Sequence, residues 1–304
     1  MTQVTEVLKN HIITSNLKPS THGVYERYLQ KHIAPFFGNI NCSELSNGIM
    51  QDFADRLVDG EISSSTVKGI ISFLKKGLAG HYPPGVFEVA LGRKPSIGIT
   101  VLTASEQRAI ESSARFSDGT NRISVFMCLY TGIRIGELCG LMWQDVDFSR
   151  REFSVCRTIQ RIKNTDAKGV TKTVVAFMPL AEYANRRIPL PNFLLNMVNE
   201  HKPSSPGEYV ISKDGSYVEP RALQYRLKKI LQHANVMRAN FQTLRHTFAV
   251  RALESNFDVM ALSKILGHAS PFVTYSRYYA LINEESLIRK SMENLAAAMG
   301  EPRR

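Results

Sequence analysis

Two arginines, a histidine and a run of tyrosines stand in settings where they could handle a phosphate. In Thr131-Gly132-Ile133-Arg134-Ile135-Gly136-Glu137-Leu138, Gly132 lets the chain turn into a helix and leaves Arg134 at its N-terminal end. Backbone N–H groups and the helix dipole already favour an anion there, and a guanidinium suits two-point binding of phosphate oxygens. The plainer reading pairs Arg134 with Glu137 at i+3. Arg245 lies in Gln242-Thr243-Leu244-Arg245-His246-Thr247-Phe248-Ala249, just off the face that Leu244 and Phe248 would bury. His268 follows Gly267, and the next helix presents Tyr275, Tyr278 and Tyr279. A phenol attacks phosphorus once relieved of its proton. Any one of these tyrosines is as readily a packing residue with a satisfied hydroxyl.

Periodicity and caps predict the elements that must hold these groups. Leu138, Leu141 and Met142, at i, i+3 and i+4, predict one buried side of the helix that Arg134 opens. Asp258 is placed to cap a helix whose face is Leu262, Ile265 and Leu266, with Gly267 ending it in a left-handed conformation. Ser270-Pro271 then starts another, serine at the cap and proline in the first turn. Thr103-Ala104-Ser105-Glu106 has capping-box spacing. Residues 153–162 and 174–178 are β-branched and aromatic enough for strands, with 187–191 as an edge strand. A helix over 221–234 buries Leu223, Leu227, Ile230 and Leu231 and carries Arg226, Lys228 and Lys229 on its polar side.

Toward the N-terminus, Val67, Ile70, Ile71, Leu74 and Leu78 make a helical stripe over 65–79, with Lys68, Lys75 and Lys76 off it. These lysines suit phosphate contact or a merely solvated face equally. Pro83-Pro84-Gly85 with Gly92, Pro95 and Gly98 disfavours helix. We therefore expect a helical unit at 1–82, a linker at 83–100 and a larger unit at 101–304 in which a small antiparallel sheet interrupts helices. The fold class is mainly α.

Lysine and arginine number 38 against 27 acidic residues, a formal charge of +11, which favours a polyanionic partner. No apolar run approaches the ~18 residues of a membrane span. The first residues show neither an unbroken apolar stretch nor a small-residue cleavage site, so we expect no membrane association and a cytoplasmic location. Cys42, Cys128, Cys139 and Cys156 are scattered, which reads as apolar packing rather than disulfides or a metal site.

Taken in order, Thr131-Gly132-x-Arg134-x-x-Glu137-Leu138, Leu244-Arg245-His246-Thr247-Phe248-Ala249, Leu266-Gly267-His268 and Arg277-Tyr278 resemble the tyrosine recombinases of the phage-integrase type, and most closely the integrases of phages and conjugative transposons. The N-terminal unit, from Ser20-Thr21-His22-Gly23-Val24-Tyr25 to Pro35-Phe36-Phe37-Gly38, looks like the family's helical core-binding domain. The resemblance implies an α+β catalytic domain in which Arg134 and Arg245 clamp the scissile phosphate. His268 would support the phosphate or the nucleophile, and Tyr278 would form a 3′-phosphotyrosyl link, with Tyr279 as a second choice. It implies neither metal nor cofactor. The partner implied is double-stranded DNA, with a homo-tetramer on paired sites and room for an accessory DNA-bending or directionality factor.

The stripe Ile288, Met292, Leu295 and Met299 reads as a tail helix for protomer contact or for packing on its own domain. Two positions depart from the family pattern. Gln242 stands where His-x-x-Arg has its histidine; an amide can bond a phosphate oxygen but cannot exchange a proton. Leu180 stands where a hairpin lysine protonates the leaving 5′ oxygen, with Lys163, Lys168 and Lys172 as stand-ins. These departures keep open a DNA-binding relative that occupies recombination sites without cutting.

Overall fold

Side-chain caps fix the starts of several helices in the computed structural model, which describes residues 2–60, 62–82, 86–90, 98–165, 171–205, 207–282 and 284–299. The described residues form two compact units, one holding those of 1–98 and 161–174, the other those of 99–160 and 175–304.

The first unit is helical: α1 (Val4–Thr14), α2 (Pro19–Tyr28), α3 (Ala34–Phe37), α4 (Asn47–Asp59) and α5 (Ser64–Gly77). Ser46 and Ser63 cap α4 and α5, each hydroxyl accepting a backbone N–H at 3.3 Å. As expected, α5 buries Val67, Ile70 and Leu74, adds Phe73, and leaves Lys68, Lys75 and Lys76 exposed. Tyr25 of α2 stacks on Phe73 at 4.2 Å, and Phe37 meets Phe53 edge-on at 4.8 Å. Residues beyond the expected end of this unit at 82 also touch it. Val86 is buried in this core, and both backbone groups of Ala90 bond the Gln51 amide at 3.0 Å. Val86, Phe87 and Val89 carry enough apolar surface to dock despite the neighbouring prolines. Pro83-Pro84-Gly85, Gly92 and Pro95 lie outside the described residues.

The second unit opens with α6 (Ala104–Arg115), α7 (Gly119–Thr131) and α8 (Ile135–Cys139). Strands β1 (Val146–Asp147), β2 (Glu152–Val155), β3 (Arg157–Thr165), β4 (Thr171–Pro179) and β5 (Arg186–Pro189) follow, the parts of β3 and β4 within 161–174 counting with the first unit, then α9 (Asn192–His201), β6 (Ser212–Lys213) and β7 (Ser216–Tyr217). The chain closes with α10 (Pro220–His233), α11 (Phe241–Glu254), α12 (Val259–Leu266), α13 (Pro271–Tyr278) and α14 (Glu284–Met299). Thr103 and Glu106 form the expected capping box, with bonds of 3.2 and 2.8 Å. Asn240 caps α11 at 3.0 Å and Asp258 caps α12 at 2.7 Å. Ser270 precedes α13 as expected, though its hydroxyl makes no cap bond.

Two helices run through the core. From Ile123 to Leu129 every residue of α7 is buried, so its sequence is apolar on all sides rather than striped. Helix α11 packs along it and buries Phe241, Leu244, Ala249 and Val250. The stripe foreseen for α10 (Leu223, Leu227, Ile230, Leu231) is buried as a set. Strands β1, β2 and β5 form an antiparallel sheet with Phe153 opposite Ile188 and Val155 opposite Arg186. β5 is its edge, and Pro189 ends it where no N–H is needed.

Two expectations need correcting. The strand expected over 153–162 breaks at Cys156, so that β2 joins the sheet and β3 pairs with β4 as a separate hairpin. The helix after Arg134 stops at Cys139. Leu138 and Leu141 are buried, but Met142 pairs with Tyr209 in an isolated β-bridge. The i, i+3, i+4 pattern there served a short helix and the extended chain after it. All four cysteines are free thiols, three of them buried. Among the described residues no helix is long and apolar enough to cross a membrane. On α14, Ile288, Met292, Leu295 and Met299 are all exposed.

Helix α7 ends in Gly132 at φ +65°, and a Cβ there would lie 2.5 Å from Phe248 and 2.9 Å from Leu266. Gly132→Ala is expected to cost at least about 1 kcal/mol, from left-handed strain plus displaced packing. Chemical denaturation checks this, and an unchanged midpoint would mean the turn is not held as described.

Candidate active site

Arg134 is fixed at the start of α8 by the carboxylate one turn ahead of it. Glu137 accepts the Arg134 backbone N–H at 3.0 Å and its guanidinium at 2.9 Å. The pairing that looked like an alternative to phosphate binding is therefore present. It leaves the guanidinium 39% exposed, with its other nitrogen 3.2 Å from the Gly267 carbonyl. Glu137 is buried and receives a second fork from Arg186 of β5, at 3.2 and 2.7 Å. Burial alone would push its pKa up. The hydrogen bonds and charge of Arg186, then the charge of Arg134, outweigh burial and hold it below the usual carboxylate range.

Arg245 departs from expectation. It does not ride beside the apolar face of α11 but is 2% exposed, among the largest fully buried side chains of the protein. Its guanidinium donates to the carbonyls of Gly132 and Leu266, the latter at 2.7 Å. Burial, with Arg134 adding repulsion, lowers its pKa to about 10, so it stays charged at neutral pH. Arg134, Arg245 and Gln242 line one cavity of about 720 Å³, walled also by Thr158, Gln224 and Asn240. Among the described residues no carboxylate lines this cavity. Two cations facing amides and hydroxyls make an anion site.

His268 and Tyr278 stand behind it. The Nε2 atom of His268 lies 3.2 Å from an Arg245 nitrogen, and its Nδ1 2.7 Å from the buried Thr274 hydroxyl. A guanidinium only donates, so Nε2 accepts and the ring proton sits on Nδ1, facing Thr274. Tyr278 is fully buried, its hydroxyl 2.8 Å from Nδ1 of His246. Burial raises its pKa, against the opposing charges of Arg245 and Arg277. The Gln242 amide nitrogen lies 3.1 Å from the other ring nitrogen of His246. Tyr275 and Tyr279 stack on each other at 4.5 Å.

Arg134, Arg245, His268, Tyr278 and Gln242 are thus brought together. Leu180 packs against the core, as its apolar type requires. Lys168 lies outside the described residues, as do the side chains of Lys163 and Lys172. On α10, Gln224 lines the cavity and Lys228 follows one turn on, exposed. Lys229 lies 5.4 Å over the Tyr225 ring, while Arg226 faces a second cavity with Asp118, His201 and Asp214. Lys68, Lys75 and Lys76 belong to the first unit. Sequence reasoning passed over His246, Thr274 and Arg186. Only His246 had a usable signal: it is the i+4 neighbour of Gln242.

Burial first, then Arg277 and Arg245, lowers the pKa of His246 to about 4. Burial, then Arg245 and Arg134, lowers that of His268 to about 3. Unfolded histidine takes up its proton near pH ~6.5, so the stability these neutral rings confer is whole above that pH and is lost as pH falls towards 4. Histidine NMR titration should show neither ring changing charge between pH ~7 and ~5, and a midpoint near ~6.5 for either would overturn this.

Comparison with known proteins points the same way. A family model described as "Phage integrase family" matches residues 101–285, and one described as "Phage integrase, N-terminal SAM-like domain" matches 8–58. A relative named "Tyrosine recombinase XerC-like", from Caldanaerobacter subterraneus subsp. tengcongensis, is 26% identical over 90% of this chain and 77% of its own length. "Tyrosine recombinase XerA" of Thermococcus onnurineus is 30% identical over 63% of this chain and 61% of its own. The chain thus spans about three fifths of that second relative. Among solved structures, the Tn1549 transposon integrase in complex with a circular intermediate DNA superposes with a TM-score of 0.83 at 19% identity, covering 97% of this chain and 100% of that one. The lambda integrase tetramer bound to a Holliday junction gives 0.65 at 17% identity, over 91% and 77%. These likenesses show a shared fold, and with the family match across 101–285 the chain belongs to the phage integrase family of tyrosine recombinases.

Proposed function

We propose that this protein performs site-specific DNA recombination, cutting and rejoining strands through a 3′-phosphotyrosyl bond to Tyr278. One observation carries the reading: Arg134 and Arg245 line an acid-free cavity, and the Tyr278 hydroxyl is hydrogen-bonded to the residue next to Arg245. The two guanidiniums would hold the non-bridging oxygens of a phosphodiester and neutralise charge as it builds in the pentavalent transition state. The Tyr278 oxygen bonds phosphorus and the bond to the 5′ oxygen breaks, so the phosphodiester energy is kept in the adduct. A 5′ hydroxyl of another strand then reverses the step. Tyr278 lies buried beside the cavity rather than lining it, so its delivery to phosphorus is a movement of α13 that DNA binding would drive.

The finer partners belong to the same proposal. Double-stranded DNA would be contacted by each unit, through Lys68, Lys75 and Lys76 of the first and Lys228 of the second. Exchange of all strands would need four protomers on two sites, and the exposed stripe of α14 supports contact between them. An accessory DNA-bending factor fits the same scheme. Leu180, packed against the core, favours a binder that does not cut. The charged clamp beside a hydrogen-bonded phenol weighs against it.

Incubation with a nicked suicide duplex should give a covalent adduct on a denaturing gel that disappears in Tyr278→Phe. Specific binding without any adduct would sink the reading. Replacing Lys68, Lys75 and Lys76 together by alanine should flatten the dependence of log affinity on log salt by about 0.9 for each phosphate that is no longer neutralised. Fluorescence anisotropy over a salt series measures this, and an unchanged slope would remove these lysines from the interface.

A further inference from the structure

We infer that His246 takes the proton of the Tyr278 hydroxyl during cleavage, with Gln242 selecting the ring tautomer, so that the imidazole missing three residues before Arg245 acts from one residue after it. The inference rests on the recombinase reading above, with the His246–Tyr278 hydrogen bond kept as α13 brings the hydroxyl to phosphorus. The Nδ1 atom of His246 is 2.8 Å from the phenol oxygen, and the two rings meet edge-on at 5.5 Å. Gln242 lines the cavity and bonds the opposite ring nitrogen at 3.1 Å, so the order from the cavity inward is Gln242, His246, Tyr278.

The other nearby groups are already committed. The Nε2 lone pair of His268 accepts from Arg245, and its Nδ1 proton faces Thr274. Arg245 and Arg277, the charged groups that face both His246 and Tyr278, cannot accept a proton. His246 is neutral at neutral pH, and its lowered pKa makes it a weak base until a bound phosphodiester offsets the charges of Arg277 and Arg245.

A glutamine suits the outer position because its amide offers a donor and an acceptor at the same reach. With the amide nitrogen toward Nε2, the ring keeps its proton on Nδ1 and donates it to the tyrosine oxygen, the arrangement that holds a phenolate. After a half-turn of the amide, Oε1 accepts from Nε2–H and Nδ1 presents its lone pair to the hydroxyl. In cleavage the oxygen forms its bond to phosphorus, its proton passes to Nδ1, and the 5′ oxygen leaves with its electron pair and takes a proton from water. Rejoining returns the Nδ1 proton to the tyrosine oxygen as its bond to phosphorus breaks.

The test compares adduct formation by the full chain on a suicide duplex with an ordinary scissile phosphate and on one with a 5′-bridging phosphorothiolate. Its thiolate leaves without needing a proton. His246→Asn, which keeps a hydrogen bond but cannot exchange a proton, should slow adduct formation by about 10²–10⁴-fold on both substrates alike. Its rate should climb about tenfold per pH unit below the tyrosine pKa, because hydroxide must then do the work. Added imidazole should restore part of the rate of His246→Ala. Gln242→Leu, an exposed position that leaves the fold alone, should slow both substrates as well. A His246→Asn rate within about threefold of the unaltered protein would overturn the inference against that expected loss. So would a defect that the phosphorothiolate removes, since it would assign His246 to the leaving group. No adduct from the unaltered chain would remove the recombinase reading and this one with it, whereas normal adduct rates in the variants would remove this one alone.

Discussion

A guanidinium buried without a carboxylate of its own organises the second unit. Arg245 gives its protons to the carbonyls of Gly132, just beyond α7, and of Leu266, the last residue of α12. Helix ends are where carbonyls lack partners and where the dipole is negative. Two such ends converge on one cation because both helices stop in a left-handed glycine, Gly132 at φ +65° and Gly267 at φ +62°. The glycines turn the chain sharply enough for the last carbonyls to face inward. The residues just after those turns, Arg134 and His268, are then delivered to the same point. Without the cation, carbonyls would be buried unpaired; without the carbonyls, a charge would be.

The charge balance around this point leaves the cavity electropositive. Arg134, Arg186 and Arg245 stand together, and Glu137 answers two of them. Its carboxylate joins the start of α8 to β5, and so fixes Arg134 to the sheet as well as to its own helix. Of these three, Arg134 is the exposed one, and Arg134 and Arg245 both line the cavity. A phosphodiester supplies negative charge and acceptor oxygens in the arrangement that paired guanidiniums match. The cavity's donors would need little rearrangement, since they are locked in place by groups other than the ligand.

Much of this was legible in the residues. Caps at Thr103 and Asp258, left-handed ends at Gly132 and Gly267, and the buried stripe of α10 all follow from local chemistry, and local chemistry is what a single sequence carries. Long-range facts were harder. Nothing near Arg245 indicates burial, because its carbonyl partners lie at Gly132 and Leu266 and meet it only through the fold. Arg186 was invisible for the same reason, as its partner Glu137 comes from a distant element. The short course of α8 was misread because a short helix followed by extended chain can bury the same positions as a longer helix. His246 was written in the motif itself but passed over, since its role depends on a tyrosine brought from another helix.

The two departures from the family pattern are of one kind. Both Gln242 and Leu180 concern protons, while the groups that carry charge, Arg134 and Arg245, stand where the pattern has them. The two tasks have different structural demands. A charge clamp depends on several helix ends and a shared carboxylate at once, so a change in any part is felt by all. Proton transfer needs one group of suitable pKa within hydrogen-bond reach, and such a group can come from a neighbouring turn of the same helix, as His246 stands one turn from Gln242. Electrostatic donors and acid–base groups contribute comparable factors, roughly 10²–10³ and 10²–10⁴ in rate. The difference is that proton carriers are replaceable in place. On the nucleophile side the replacement is at hand in α11. On the leaving-group side, Leu180 packs against the core, so a proton for the 5′ oxygen would come from another donor, with Lys163, Lys168 and Lys172 of the hairpin and water as the sources at hand.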